Sequence, residues 1–327
     1  MNHKNFKLCF SLAGIIFSFL MTVSAQTFTP KPSVFGEGTV SSKDFEFNAA
    51  FTPDGKTVFF SKSLLPDWRR ISIVFSTYNG KTWSQPKLAS FSGQYRDADP
   101  YITPDGKRLV FISDRPSPIQ KKQTDYHFWY VEKTARGWSE ARHLSGDFYQ
   151  VTPNPVYPSI SRNGNLYYSA SDGKDFEIYV VKQQNGRYGM PEKLSLNSPA
   201  HRDIDPIIAP DESFIIFTNF TRKGVGGNDL WVSFNNEGKW GEPVNLGNSI
   251  NTPGNEGQPG LSPDGTKLYF TSTQNKEKSD FAPRASVISQ ADFEKELNGI
   301  FNGLPNIWEV DISQIKNLSG DNGTPAN

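Results

Sequence analysis

Residues 258–271 read Gln258-Pro-Gly-Leu-Ser-Pro-Asp264-Gly265-Thr-Lys-Leu268-Tyr-Phe-Thr271. The segment combines a short extended stretch, a Pro-Asp-Gly turn and an aromatic strand pattern, because Pro fixes φ and Gly tolerates a positive φ in a turn. Four other segments align with it, and the turn positions of the five segments are Asp54, Asp105, Asn163, Asp211 and Asp264. These positions recur at an interval slightly longer than the ~40–45 residues of a compact four-stranded blade. The chain therefore contains five units of one repeated design.

Each unit has the same internal order of segments. An aromatic second strand, such as Val58-Phe-Phe-Ser61, follows the turn, and a third strand comes after a loop of variable length. Tight turns such as Tyr78-Asn-Gly-Lys81 then lead to a fourth strand in the first four units. The fifth unit lacks that strand, and residues 32–40 resemble it. We predict an all-β fold, namely a five-bladed β-propeller of four-stranded antiparallel blades whose last blade is closed by an N-terminal strand. Two stacked sheets or an open array are the alternative.

Two further motifs carry a resemblance to a known family. Gly226-Gly-Asn-Asp-Leu-Trp-Val-Ser233 and Trp240-Gly-Glu-Pro-Val-Asn-Leu-Gly247, together with the turn repeats, resemble the WD40-like β-propeller repeats of exported bacterial proteins, of which TolB is the best-known example. The resemblance covers about residues 30–315 and does not extend to the N-terminal domain of TolB. It implies a binding or scaffold module, because no catalytic residues belong to the repeat itself.

The N-terminal residues 1–25 have the features of a signal peptide. Lys4 and Lys7 precede an apolar run over residues 8–23, and small residues follow at the cleavage site. We therefore expect an exported protein, periplasmic or secreted, with no transmembrane anchor after cleavage. An uncleaved N-terminal anchor is the alternative.

The same boundaries define the domain organisation. The one cysteine of the chain, Cys9, lies within the signal segment, so the mature chain is expected to contain no disulfide and no thiolate metal site. We expect the propeller to occupy residues 26–315 and a flexible tail to occupy residues 316–327.

The overall composition limits the class of partner. The chain has 34 Lys and Arg residues against 34 Asp and Glu residues, so its net charge is zero. This balance disfavours nucleic acid or an anionic membrane as partner. The mean hydropathy of −0.54 is too polar for a protein with several membrane spans. We therefore expect a monomer whose partner is a protein or a glycan.

The loops indicate which face of the propeller carries a site. The connections between second and third strands and between blades share one face, which we call the loop face. The Pro-Asp-Gly and Asn-Gly turns share the opposite face, which we call the turn face. Binding residues are commonly found on irregular loops that a rigid frame supports, so we expect the ligand at the loop face.

Acidic residues recur on the first strand of several units. Four of them stand eight positions before the turn position: Glu46, Asp97, Asp203 and Glu256. Two more, Asp99 and Asp205, stand six positions before it. Residues two apart on a strand share a face, so we expect these side chains to ring the mouth of the central channel on the loop face. Arg96 and Arg202 each precede one of the acids, and these two arginines and Arg115 are expected to supply balancing charge.

The acid ring allows three interpretations. It could bind a ligand or Ca²⁺, which prefers oxygen ligands, and no other cofactor is expected. It could instead be structural, with the acids capping strand starts or accepting hydrogen bonds from the neighbouring blade. It could also supply the paired carboxylates of a glycoside hydrolase or lyase. We predict a non-catalytic recognition or scaffold propeller that binds a protein or a glycan at the loop face, with a carbohydrate-active enzyme as the alternative.

Residues 286–303 show the pattern of a helix inserted in the last blade. Ser289 and Asp292 resemble an N-terminal cap, and Phe293, Leu297 and Ile300 fall on one helical face. We expect this helix to pack over the loop face and to cover part of the channel.

Overall fold

The computed structural model of the chain describes residues 28, 30–63, 69–119, 122, 125–171, 175–194, 196, 202–273 and 286–319. The described residues form five antiparallel blade sheets, and these are arranged as a five-bladed β-propeller. The predicted fold class is confirmed. The predicted signal peptide (residues 1–25) and residues 320–327 of the predicted tail lie outside the described residues.

The strands follow one another along the chain blade by blade. Strand β1 (Ser33–Val34) belongs to the last blade, as described below. Blade 1 contains β2 (Phe45–Phe51), β3 (Thr57–Ser63), β4 (Ile71–Thr77) and β5 (Lys87–Leu88). Blade 2 contains β6 (Asp97–Ile102), β7 (Arg108–Ser113), β8 (His127–Thr134), β9 (Gly137–Trp138) and β10 (Arg142–His143). Blade 3 contains β11 (Val156–Ile160), β12 (Leu166–Ser171), β13 (Phe176–Val181), the hairpin of β14 (Gln183–Gln184) and β15 (Arg187–Tyr188), and β16 (Glu192–Lys193).

The last two blades repeat the arrangement. Blade 4 contains β17 (Asp203–Ile208), β18 (Phe214–Asn219), β19 (Asp229–Asn236), β20 (Lys239–Trp240) and β21 (Val244–Asn245). Blade 5 contains β22 (Glu256–Leu261), β23 (Lys267–Ser272) and β24 (Asn306–Asp311). The innermost strands β2, β6, β11, β17 and β22 each contact the next one, and β22 returns to β2, so the ring is closed.

The N-terminal strand completes the last blade. In the antiparallel pair of β1 and β24, Ser33 lies opposite Glu309 and Val34 lies opposite Trp308. The pairing continues past β1, because the backbone N–H of Phe35 donates to the carbonyl oxygen of Ile307 at 2.9 Å. The predicted closure of blade 5 by residues 32–40 is therefore confirmed.

The core consists of apolar layers between neighbouring blades. In β3, Phe59 packs towards blade 2 and Phe60 packs towards blade 5, because successive side chains of a strand point to opposite faces of the sheet. Both faces of a blade are thus buried, which explains why the second strands are apolar without alternation. Trp138 of blade 2 packs edge to face on Phe59 of blade 1, with the ring centroids 5.7 Å apart. Such contacts hold adjacent blades together.

The inserted helix differs from the prediction. Helix α1 (Gln290–Asn298) is shorter than the expected segment, and its N-cap Ser289 accepts a hydrogen bond from the backbone of Asp292. None of its residues is buried, with Phe293 45% and Leu297 55% exposed. The prediction that these two side chains pack over the loop face is wrong. The helix ends at Asn298, so Ile300 lies outside it, and the two remaining apolar residues form a stripe too narrow for a stable contact.

Two short 3₁₀ helices complete the described structure, Asp147–Gln150 and Ile315–Ser319. Ile315 is buried in the apolar layer between blades 4 and 5, and Leu318 packs partly against it. The packed chain therefore continues past residue 315, where we expected the propeller to end.

Candidate ligand-binding site

The axis of the ring contains a cavity on each face of the propeller. The larger, about 540 Å³, is lined by residues of all five innermost strands and by loop residues such as Tyr126, Phe220 and Thr273. It lies on the loop face, and we call it the loop-face cavity. The smaller, about 180 Å³, is lined by the same strands and by the prolines of the turns, including Pro53 and Pro104. It lies on the turn face, and we call it the turn-face cavity.

Tyr157 of blade 3 crosses the axis between the two cavities. Its Oη donates a hydrogen bond to the carbonyl oxygen of Pro259 in blade 5 at 2.8 Å. The same Oη accepts from Nδ2 of Asn48 in blade 1 at 3.1 Å. One side chain thus joins three blades across the channel, at the level of the turn-face cavity that Tyr157 lines.

Five equivalent residues, one in each innermost strand, adopt a left-handed backbone conformation with φ between 51° and 60°: Asn48, Asp99, Tyr157, Asp205 and Gln258. The register of each innermost strand with its second strand shifts at this point, which is the mark of a β-bulge. The faces of an innermost strand meet the neighbouring blades, whereas its free edge meets the channel. A residue rotated by a bulge is therefore the one whose side chain reaches the axis.

Asp99 and Asp205 are the acids that line the loop-face cavity at these bulges. A carboxylate oxygen of Asp99 accepts a hydrogen bond from the backbone N–H of Tyr157 at 3.2 Å. Burial raises the pKa of Asp99 to about 7, although this hydrogen bond opposes the shift. Burial, and then the nearby charge of Asp99, raise the pKa of Asp205 well above its ordinary value. The two acids therefore tend to hold a proton at neutral pH when the cavity is empty.

Glu46 and Glu256 are bound within their own blades. Glu46 accepts from the backbone N–H of Ser42 at 3.1 Å and from Nζ of Lys62 at 2.9 Å. Glu256 accepts from Oγ of Ser272 at 2.6 Å. Lys62 and Ser272 stand directly opposite the two acids on the second strands, so each contact ties the first strand to the second.

Asp97 and Asp203 follow the same pattern with an arginine added. Asp97 lies 2.7 Å from Nη2 of Arg115, and Asp203 lies 3.1 Å from Nη2 of Arg222. Asp203 also accepts from Nδ2 of Asn219, the residue opposite it on the second strand, at 2.6 Å. Burial raises the pKa of Asp97, and the charge of Arg115 opposes the shift. Because the two carboxylates are paired with side chains of their own blades, these contacts stabilise the individual blades.

The structure corrects two expectations about the acid ring. The acids eight and six positions before the turn do not share a face, since the bulge between them rotates the second member. Arg96 and Arg202 do not pair with the adjacent acids; Arg96 pairs with Asp114 at 2.7 Å and Arg202 with Asp175 at 2.8 Å. Adjacent residues of an extended chain point to opposite sides, so an arginine cannot easily reach the acid that follows it.

Sequence reasoning missed several residues of the loop-face cavity, among them Thr218 and Thr271. One signal was available. Proline follows the left-handed residue in four of the five innermost strands, at Pro100, Pro158, Pro206 and Pro259. Proline inside a strand marks a bulge or a free edge, and here it marks both.

The described residues contain no group of three or more His, Cys, Asp or Glu suited to a metal ion. Among the described residues of the cavity wall, the acids that could serve the expected Ca²⁺ at the channel mouth are Asp99, Asp205 and Glu256, and Glu256 is already hydrogen-bonded to Ser272. Within the same described part of the chain, no helix is long and apolar enough to cross a membrane.

Fold and cavities together define the chain as a five-bladed β-propeller with a ligand-sized axial cavity. No protein-family model matches the chain, and no curated protein matches it. Among solved structures it is similar to a candidate TolB from Agrobacterium tumefaciens, with 17% identity, 70% of each chain covered and a TM-score of 0.47. It is also similar to TolB from Acinetobacter baumannii, with 12% identity, 82% of this chain and 54% of that chain covered, and a TM-score of 0.47.

A third similar structure is the gluconolactonase XC5397 from Xanthomonas campestris, with 13% identity, 86% of this chain and 94% of that chain covered, and a TM-score of 0.44. At these identities the likeness concerns the fold. TolB propellers are thus among the solved structures that the chain matches, as the sequence resemblance predicted.

Proposed function

We propose that the chain is an exported, non-catalytic recognition propeller that binds a protein segment or a glycan in the loop-face cavity. The observation that carries the proposal is the cavity itself. Its volume of about 540 Å³ lies within the range of small-molecule and side-chain pockets, and residues from all five blades line it. A ligand bound there would contact the innermost strands of all five blades.

The chemistry of the wall supports recognition. Phe176 and Phe220 line the cavity, and Phe220 is 43% exposed, so an apolar aromatic surface is open to a ligand. Aromatic rings stack on sugars and on the apolar parts of peptide side chains. Asp99, Asp205 and Gln258 supply polar groups deeper in the cavity, which is the usual arrangement for fixing the orientation of a ligand.

Binding can be tested on a glycan array and on a peptide array with the purified chain. We expect a ligand whose affinity falls at least tenfold in Phe220→Ala, because an aromatic contact at the cavity wall is lost. Tyr78→Ala is the matched control, since Tyr78 is 38% exposed and lies beside the Pro-Asp-Gly turn of blade 1 on the turn face. Binding that Phe220→Ala and Tyr78→Ala weaken equally, or no binding on either array, would contradict the proposal.

A carbohydrate-active enzyme is the second candidate, and one observation favours it. The pKa of Asp99 is raised by burial to about 7, which suits a general acid near neutral pH, and Asp205 lies near enough to be its partner. Incubation of array-selected glycans with the chain, with Asp99→Asn and with Asp205→Asn separates the two functions. Turnover that both substitutions abolish supports an enzyme, whereas binding without turnover supports recognition.

Export is tested separately by expressing the full chain in a Gram-negative host and sequencing the N-terminus of the mature product. We expect cleavage after Ala25, so that the product begins at Gln26. A product that retains residues 1–25 and stays with the membrane would instead support the uncleaved anchor.

A further inference from the structure

The loop-face cavity contains two carboxyl groups that lack a cationic partner among the described residues, that of the buried Asp99 and that of the half-buried Asp205. Asp99 is 8% exposed, and neither Asp99 nor Asp205 forms an ion pair with any described lysine, arginine or histidine. The other buried acids of the innermost strands behave differently, since Glu46, Asp97 and Asp203 each have a cation within 3.1 Å. A carboxylate that is removed from water without compensation is costly, so the pair is prepared for a positive group that the described residues do not supply.

A third polar group in the same wall also lacks a partner. Thr271 of β23 is 5% exposed, it lines the loop-face cavity, and its Oγ1 has no hydrogen-bond partner. Thr218, its neighbour in the cavity wall, is satisfied, because its Oγ1 accepts from the backbone N–H of Gln258 at 3.2 Å. A buried hydroxyl without a partner is uncommon in native proteins and points to a bound polar group.

The rest of the wall favours an organic cation over a metal ion. Phe45, Val156, Phe176 and Ile204 line the cavity beside the acids, and such side chains cannot replace the oxygen ligands that Ca²⁺ or Mg²⁺ require. The volume of about 540 Å³ is also far larger than a single ion needs. A ligand with an alkyl chain and a positively charged end would match both the apolar side chains and the two acids of the cavity wall.

We propose that the loop-face cavity binds a primary alkylammonium group, whose three N–H donors are accepted by Asp99, Asp205 and Thr271 and whose alkyl chain packs on the apolar wall. This inference rests on the proposed function and names the chemistry of the ligand. An ammonium group has three donors and no acceptor, which matches a cavity wall that offers the acceptors of Asp99, Asp205 and Thr271. The group can come from a free alkylamine or from a lysine side chain of a protein partner.

Binding of the ammonium group should release a proton. The titratable and charged groups that face the pair from the surrounding elements are Tyr126, Tyr157 and Glu256, with Arg96 stacked on the Tyr126 ring at 4.8 Å. Burial raises the pKa of Tyr126 to about 12 and that of Tyr157 well above its ordinary value, so both stay neutral. A cation that binds near pH 7 should therefore displace a proton from the Asp99 and Asp205 pair. The variant Glu256→Gln tests whether Glu256 releases the proton instead.

The test is isothermal titration calorimetry of the full chain with n-butylammonium chloride at pH 7, in phosphate and in HEPES buffer, neither of which contains a primary amine. A pentapeptide Ac-Gly-Gly-Lys-Gly-Gly-amide, its norleucine counterpart, n-butanol and CaCl₂ are titrated in parallel. We expect butylammonium or the lysine peptide to bind, the neutral counterparts not to bind, and the heats in the two buffers to differ because about one proton is released. Binding by both, or by butylammonium alone, identifies a free amine as a sufficient ligand. Binding by the lysine peptide alone identifies a protein partner.

The variants assign the binding to the proposed groups. Asp99→Asn, Asp205→Asn and Thr271→Val should each weaken binding, the first two at least tenfold, because a charge-assisted hydrogen bond is lost. Asp105→Asn on the turn face is the matched control and should leave binding unchanged, and melting curves check that every variant is folded. Equal binding of the neutral probes, binding of Ca²⁺ alone, or no binding of either ammonium probe would overturn the inference. If neutral ligands from the arrays still bind in a manner that depends on Phe220, the inference fails while the proposed function stands.

Discussion

A single backbone angle decides which side chains reach the axis of this propeller. Asn48, Asp99, Tyr157, Asp205 and Gln258 have a positive φ, and their neighbours in the innermost strands do not. A non-glycine residue in this region costs free energy, so the conformation persists only where the surrounding structure enforces it. Here the backbone N–H of Asp99 donates to Oγ of Ser61 in the preceding blade at 3.1 Å, and that of Asp205 donates to Oγ of Ser169 at 2.9 Å. The bulges therefore also join the blades.

Asp99→Asn should stabilise the empty protein, and the effect should grow with pH. The folded-state pKa of Asp99 is about 7 because of burial, whereas an unfolded Asp titrates near 3.9. The folded state thus binds more protons between these values, so the contribution of the protonated carboxyl to stability is complete below about pH 4 and is lost as the pH rises through 7. Asn cannot ionise, and the gain at pH 8 is at most about 4 kcal/mol. Urea denaturation at pH 5 and at pH 8 measures the difference.

Asp105→Asn controls for the removal of a carboxylate. Burial opposes the shift, but hydrogen bonds from Thr103 and Lys107 keep the pKa of Asp105 below its ordinary value. Asp105 is therefore ionised at both pH values, and its substitution should change stability equally at pH 5 and pH 8. If Asp99→Asn also shows the same change at both pH values, Asp99 does not titrate in this range.

Tyr157→Phe should destabilise the protein by about 1–3 kcal/mol, because the loss of the hydroxyl leaves buried groups without a partner. The affected groups are Nδ2 of Asn48 and the carbonyl oxygen of Pro259, which both contact Tyr157 Oη. Tyr78→Phe, at a 38% exposed side chain, should cost less than about 0.5 kcal/mol. Chemical denaturation of the two variants measures the difference. Equal losses of unfolding free energy would mean that the hydrogen bonds of the Tyr157 hydroxyl do not stabilise the propeller.

At the scale of strands and helices, the sequence predicts the repeated elements well and the isolated element poorly. Each blade repeats one pattern, so a wrong assignment of one residue to a strand or a turn is outweighed by the other four copies. The aromatic second strands and the tryptophans after the turns occupy the layers between blades. Helix α1 has no copy among the described residues, and Phe293, Leu297 and Ile300 suggested a contact that the fold does not provide.

The double substitution Phe293→Ser and Leu297→Ser should change the free energy of unfolding by less than about 1 kcal/mol. Both side chains are about half exposed, so little apolar surface is lost from the folded state. Phe60→Ala is the contrasting variant, because Phe60 is fully buried between blades 1 and 5 and its truncation should cost about 3–5 kcal/mol. A loss above about 2 kcal/mol for the helix variant would show that α1 packs on a surface after all.

At the scale of the whole molecule, ring closure could be predicted from sequence and the ligand site only in part. The fifth unit lacks a fourth strand, and the strand near residue 33 belongs to no unit of its own, so the sequence predicts that the two pair. The site depends on bulges, and a bulge alters the two-residue alternation on which the prediction of an acid ring relied. Asp99 and Asp205 do line the loop-face cavity, but they reach it through the bulges and not through the strand alternation from which we predicted their position. Thr271 was missed because its orphaned hydroxyl is a property of three-dimensional packing.

A chain shortened to begin at Ser42 should lose at least about 4 kcal/mol of unfolding free energy, because it lacks β1 and the buried side chains of Phe35 and Val40. Phe35 alone contacts Phe51 and Trp83 of blade 1 and Tyr269 of blade 5. Its removal leaves a cavity in the apolar layer between blades 1 and 5, where the ring closes. Urea denaturation measures the loss. A synthetic peptide of residues 30–41 should restore stability in proportion to its concentration, since it binds the folded state, whereas a scrambled peptide should not. A shortened chain as stable as the full chain would mean that the propeller does not depend on its N-terminal strand for closure.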